Sequence, residues 1–307
     1  MTTDRSAEDA ARSAGPPPPE PESPLEPVPM APVPPEDRRG RAGRNLPAAI
    51  AVGASLAALV PLSVYLAPVL FAGLVGVAVS LALWELRNGL AAGAIRIPVL
   101  PLVVGGWAMV VAAYASGPEA LLVALVLTVL TTILWRLPEN PAGYTRDVTG
   151  GVFAVSYVAF LSSFAVLMIS QEQGPDRVIV FVLLTVLSDT GGYVAGVLFG
   201  QHAMAPRLSP KKSWEGFAGS LLFSVGGGAV ALPLLLDAEP WKGAVTGLAV
   251  MAVATLGDLA ESSIKRDLGI KDMGSLLPGH GGVMDRLDSL LLAAPVSYLL
   301  LTWFVPV

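Results

Sequence analysis

The chain has 307 residues, 53% of them hydrophobic and only 14% charged, with a mean hydropathy of +0.65. That leaves too little polar surface for a water-facing exterior and marks an integral membrane protein. Its 19 Lys and Arg against 24 Asp and Glu give a net charge of −5 and no chain-wide basic surface, which argues against nucleic acid as a partner. Zero cysteines remove disulfides, iron–sulfur ligation, thiolate zinc and cysteine nucleophiles, so any chemistry falls to carboxylates, two histidines, hydroxyls and Lys or Arg.

Residues 1–45 hold 11 of the 27 prolines and eight acids but almost no large apolar side chains. Burial there cannot offset the entropy of folding, and a disordered Pro-rich tail is expected. The first apolar run begins near Leu46, too far along for a cleavable leader. From there, apolar stretches of spanning length recur at about 46–65, 67–86, 97–115, 119–136, 149–169, 177–200, 216–236, 243–263 and 287–305. Within hydrocarbon every backbone polar group must bond inside the segment, and runs of Ala, Leu, Val and Gly without two-residue alternation mean helices. The expectation is an all-α polytopic membrane protein of about nine transmembrane helices. Residues 46–175 form its scaffold and 176–307 its catalytic region.

Cytoplasmic loops are enriched in Lys and Arg. With the amino terminus inside and nine spans, 17 of the 19 basic residues fall on one face, leaving only Arg177 and Lys242 on the other. The cytoplasmic side is therefore the side of the polar loops.

The first five spans have almost no ionisable residue in their interiors; Glu85 with Arg87, at the end of the second, reads as an interfacial charge pair. Asp189 in the sixth span is the first acid in a place where a carboxylate is costly and faces a polar cavity, a cation or a basic partner. The next inner loop brings His202, read as a loop residue, and the run Ser209-Pro210-Lys211-Lys212-Ser213-Trp214-Glu215-Gly216. Its Ser and Lys can bind phosphate, although Lys211 and Lys212 fit attraction to an anionic lipid surface equally well.

In the eighth span, Asp258, Glu261, Ser262 and Lys265 recur at helical spacing and share one face. Glu261 and Lys265 can pair with each other, whereas Asp258 has no basic residue within reach on its own span. A polar segment follows, from Lys265-Arg266 through Lys271-Asp272 to Pro278-Gly279-His280-Gly281-Gly282 and Asp285-Arg286-Leu287-Asp288. Glycines let backbone N–H groups approach an anion, cations hold phosphates, and acids offer the hard oxygens Mg2+ takes together with phosphate and water. Together they suit a metal–nucleotide site.

The run Ser262-x-Ile264-Lys265-Arg266-x4-Lys271-Asp272-x-Gly274-x2-Leu277-Pro278-x-His280-Gly281-Gly282-Val283-x-Asp285-Arg286-Leu287-Asp288 resembles the signature of the phosphatidate cytidylyltransferases, or CDP-diacylglycerol synthases. Ser188-Asp189-Thr190-Gly191-Gly192-Tyr193 and the run from Ser209 to Gly216 are similar to two further stretches of that family, so the resemblance covers about residues 185–290 by motif. It implies that CTP and phosphatidate give CDP-diacylglycerol and pyrophosphate. It also implies Asp258 and Asp285 as Mg2+ carboxylates, with a second cation left open. Lys265, Arg266, Lys271 and Arg286 would hold phosphates; Ser262, His280, Gly281 and Gly282 would orient them; Asp272 and Asp288 would fix basic side chains or support the metal. Asp189, Ser209, Lys211 and Lys212 are further substrate-binding candidates, and the family suggests a homodimer. Two rivals remain at this point. A CTP-dependent polyprenol or other lipid kinase would use similar acids and cations, and a secondary transporter of an anion would use Asp189 and Asp258 as coupling-ion sites.

Overall fold

The computed structural model of the chain describes residue 55 and residues 58–306, apart from 207, 275 and 277–280. All of these belong to one compact unit. The predicted tail lies outside the described residues, as does the first predicted span except for residue 55 and a helical end at 58–66.

Seven helices are long and apolar enough to cross a membrane: α1 (Pro68–Ala92), α2 (Val99–Arg136), α3 (Tyr144–Ile169), α4 (Gly174–Phe199), α5 (Trp214–Leu236), α6 (Pro240–Asp267) and α7 (Met284–Phe304). Prolines set φ at the first turns of α1, α4 and α6, where a missing N–H costs no intrahelical bond. Helix α5 opens on Ser213, whose Oγ accepts the Gly216 N–H at 3.1 Å.

The predicted spans 97–115 and 119–136 form the single element α2. Its 38 residues would run for about 57 Å if straight, nearly twice a hydrocarbon core. It does not run straight. Gly117 adopts φ 81°, ψ −163° immediately before Pro118, a conformation that glycine alone tolerates well, and the helix reverses there. Gly105 then packs against the Thr128 side chain, and Gly151 of α3 sits between Thr132 of one limb and Pro98 and Leu102 of the other. The two limbs are an antiparallel pair, as the two separate spans of the sequence reading require.

With that reversal, successive segments alternate in direction, and the polar groups divide between the two ends of the bundle. One end gathers the C-termini of α1 and α6, the N-termini of α3 and α7, and the connection from α4 to α5. At this end Arg136 bonds Asp147 at 2.9 Å, and the Arg96 N–H donates to the same carboxylate at 2.8 Å. At the other end Arg177, 1% exposed, donates to the carbonyls of Glu172, Leu301 and Val305 and closes the last turn of α7. Lys242 pairs with Glu239 there. Arg177 and Lys242 are the two basic residues that the charge count set apart, and the fold keeps them apart.

Helices α4 to α7 pack in sequence order around small residues. Gly228 and Gly243 bring the backbones of α5 and α6 into contact, and Ser224 Oγ bonds the carbonyls of Leu184 and Gly247, at 3.3 and 2.9 Å. Leu83, Leu102, Leu184, Leu232, Met251 and Leu291 fill the interior. Outward-facing Leu100, Val104, Val111, Leu122, Val126 and Leu134 leave α2 apolar where lipid would lie. One feature departs from the all-α expectation: α4 and α5 are joined by an antiparallel hairpin of β1 (Ala203–Ala205) and β2 (Ser209–Ser213), with Ala203 opposite Ser213. Strands this short carry too little alternation to register as a pattern in the sequence.

Candidate active site

The site begins with a close approach of two backbones. Gly257 of α6 lies against the carbonyl of Asp288 and the Cα of Ser289 in α7, and no side chain would fit between. Asp258 and Asp288 are thereby set beside each other, near enough for their charges to interact. One turn on, Glu261 is fully buried and accepts from Lys265 Nζ at 2.6 Å. The same ammonium reaches Asp285 Oδ1 at 2.9 Å, so Lys265 bridges α6 to the first turn of α7. The expected Glu261 to Lys265 pairing is present, and its extension to Asp285 is what links the two helices.

Asp285 sits among donors. Its Oδ2 accepts the Gly282 N–H at 2.9 Å, and the Met273 N–H spans both oxygens at 3.2 and 3.3 Å. Gly281, at φ 83°, turns the chain so that this contact can form. The amide of Gly282, expected to orient a phosphate, is instead committed to the acid.

Asp258, which had no partner on its own span, receives one from the hairpin. Lys212 Nζ of β2 lies 2.6 Å from Asp258 Oδ2, with Ser262 Oγ at 3.5 Å from the other oxygen. Lys212 therefore points inward at an acid, where the sequence left it shared between phosphate and the lipid surface. Asp189 of α4 is exposed and feels the charges of Asp288, Asp258, Lys212 and Arg286. Ser209 is half-buried in β2; Lys211, Arg266, Lys271, Asp272 and Arg286 are exposed at the same end, and Arg266 Nε donates to the Leu208 carbonyl at 3.5 Å. His280 lies outside the described residues. His202 bonds Glu215 at 2.6 Å, in keeping with a loop residue.

Sequence reasoning passed over Glu85. The sequence places it at the interface beside Arg87, yet it is 3% exposed and its Oε2 accepts the Met284 N–H of α7 at 2.8 Å. Arg87 is exposed and makes no ion pair with it. A charged residue in an apolar run of α1 was the only available signal, and nothing in the sequence indicated a contact 199 positions away. A second surprise is the π-helical turn Val155–Phe160 in α3, a feature frequent at functional sites. It carries Tyr157, whose buried hydroxyl has no hydrogen-bond partner and lies within the electrostatic reach of Glu261, Asp288 and Asp258.

Among the described residues, no three His, Asp or Glu side chains gather into an all-protein metal cage. Mg2+ commonly takes one or two carboxylates and completes its shell with phosphate oxygens and water, and the acids of α6 and α7 fit that kind of site. A carboxylate has about four lone-pair directions, and Asp258, with one lysine and one long hydroxyl contact, keeps more of them free than Asp285. Acids, ammonium groups and exposed guanidinium groups thus meet at one end of the helical bundle.

The sequence model of the Cytidylyltransferase family matches residues 47–304. The phosphatidate cytidylyltransferase of Mycobacterium leprae is 41% identical over 278 residues, covering 85% of this chain and 89% of its own length. That of Mycobacterium bovis is 40% identical over 275 residues, covering 85% of this chain and 90% of its own. The phosphatidate cytidylyltransferase of Brucella suis is 41% identical over 145 residues, or 46% of this chain and 54% of its own length. A match that runs through the whole helical bundle, with relatives at this identity and coverage, means that the chain belongs to the phosphatidate cytidylyltransferase family.

Proposed function

We propose that this chain transfers the cytidylyl group of CTP to phosphatidate, giving CDP-diacylglycerol and pyrophosphate. The observation that carries this reading is the Lys265 bridge between Glu261 and Asp285, set beside the Lys212 to Asp258 pair. It supplies paired acids and cations at the bundle end that also holds the family signature.

An oxygen of the phosphatidate phosphate attacks the α-phosphorus of CTP, and the bond from that phosphorus to the bridging oxygen breaks. The electron pair leaves with pyrophosphate. The nucleophile is already anionic near neutral pH, so no side chain has to remove a proton, and catalysis rests on positioning and charge neutralisation. Bound Mg2+, held by Asp258 and Asp285 with Asp288 in support, would neutralise phosphate oxygens of CTP and of the leaving pyrophosphate. Lys212 holds Asp258 and Lys265 holds Asp285 in place, and either ammonium can turn to a phosphate when the acids engage a metal. Arg266, Lys271 and Arg286, exposed at the same end, would meet phosphates arriving from solvent, with Lys211 and Ser209 of the hairpin as further candidates. His280 and Gly281 orient the nucleotide, while Gly282 orients Asp285.

The asymmetry of basic residues supports a cytoplasmic location for this end, which is also the compartment of CTP. Family resemblance alone supports a homodimer. Labelled CTP tests the reaction: α-phosphorus label should enter the lipid and γ-phosphorus label should leave in pyrophosphate. Label from the γ position in the lipid would mean a kinase and would overturn the proposal.

A further inference from the structure

Helix α7 begins without a cap of its own. Val283, at its N-cap position, is already helical (φ −65°, ψ −40°) and offers no side-chain acceptor, although the first-turn N–H groups of a helix have no intrahelical partner. Asp285 turns back to Gly282 and Met273. The Met284 N–H is taken instead by Glu85, from α1.

The chain around Glu85 is shaped to it. Built side chains at Gly274 or Gly282 would collide with the Glu85 carboxylate, so the chain at these two positions can approach this acid only because both lack a Cβ. The contact continues along α1, where Gly89 meets Met273 and Ile270 and Gly93 meets Leu268. An acid inside a span normally faces a cation; among the described residues none forms an ion pair with Glu85, and its acceptor serves a backbone amide. We propose that Glu85 is a positioning residue that caps α7 from across the bundle and holds Gly282 and the Asp285-bearing first turn where the nucleotide site needs them. Its effect on nucleotide rests on the reaction proposed above; its capping of α7 does not.

Hydrogen exchange on the full-length protein in detergent, together with calorimetric binding of CTP and Mg2+ without phosphatidate, separates the two. In Glu85→Ala, exchange should accelerate at Met273 and from Gly281 to Asp288 while α4 and α5 stay as protected as in the unsubstituted protein. CTP should bind about tenfold more weakly, the equivalent of one lost hydrogen bond to a charged group. Gly282→Ala, which presses a methyl onto the carboxylate from the other side, should give the same local pattern. Glu85→Gln keeps an acceptor oxygen and should restore protection at Met284. Unchanged exchange in Glu85→Ala would overturn the proposal, as would bundle-wide acceleration in both alanine variants, which would make Glu85 a general packing residue. If the unsubstituted protein bound no CTP, the functional reading would fail while the exchange pattern still decided the cap.

Discussion

Lys265 is the residue on which the two acid-bearing helices depend. Its side chain is 16% exposed, and its ammonium is shared by the side chains of Glu261, fully buried, and Asp285, 8% exposed. Removing one member of a buried ion group leaves the others uncompensated, so Lys265→Ala should cost about 3–5 kcal/mol of stability as well as activity. Thermal unfolding in detergent measures the first and turnover the second; an inactive variant with an unshifted melting temperature would make Lys265 a substrate ligand only. Lys212 differs, because its partner Asp258 is partly exposed and the pair is closed from a surface hairpin. Lys212→Ala should lower kcat/KM for CTP by about ten- to a hundredfold with little change in melting temperature, since exposed pairs contribute about 0–1 kcal/mol. An equal loss of stability in both lysine variants would contradict this division of roles.

At the scale of elements, the meeting of α6 and α7 depends on one missing side chain. Gly257→Leu would push the helices apart at Asp288 and separate Asp258 from its neighbour, and the expected result is a folded protein with turnover reduced by about a hundredfold or more. Near-normal activity would show that the acids need not be adjacent. The sequence exposed most of these elements because hydrophobic length is a strong signal. It also exposed the shared face of Asp258, Glu261, Ser262 and Lys265, because the spacing of a helix is local. What it hid depends on distant contacts. Glu85 looked interfacial because only the fold brings α1 to the start of α7. Lys212 stayed divided between phosphate and the lipid surface because the hairpin that aims it at Asp258 is too short to read.

For the whole molecule, the division of charge between the two ends makes a topological prediction. The chain has no cysteine, so single cysteines report without a background. Cysteine at Lys271 should react with a membrane-impermeant reagent only from the cytoplasmic side, and cysteine at Glu239 only from the opposite side. Labelling of both from one side would contradict the alternation that includes the reversal at Gly117. In the reaction proposed above, CTP would arrive from water and phosphatidate from the leaflet, and the acids and cations of this end would stand between them.

The most direct measurement compares the unsubstituted protein with Asp285→Asn, each purified in detergent with phosphatidate, labelled CTP and Mg2+, following label in lipid and pyrophosphate release together. The account predicts equimolar CDP-lipid and pyrophosphate from the unsubstituted protein, abolished by EDTA. It predicts turnover lower by about a hundredfold or more in Asp285→Asn, which still folds although its melting temperature falls because the Lys265 ion group loses a member. Normal turnover in Asp285→Asn, or no CDP-lipid from folded unsubstituted protein, would contradict it.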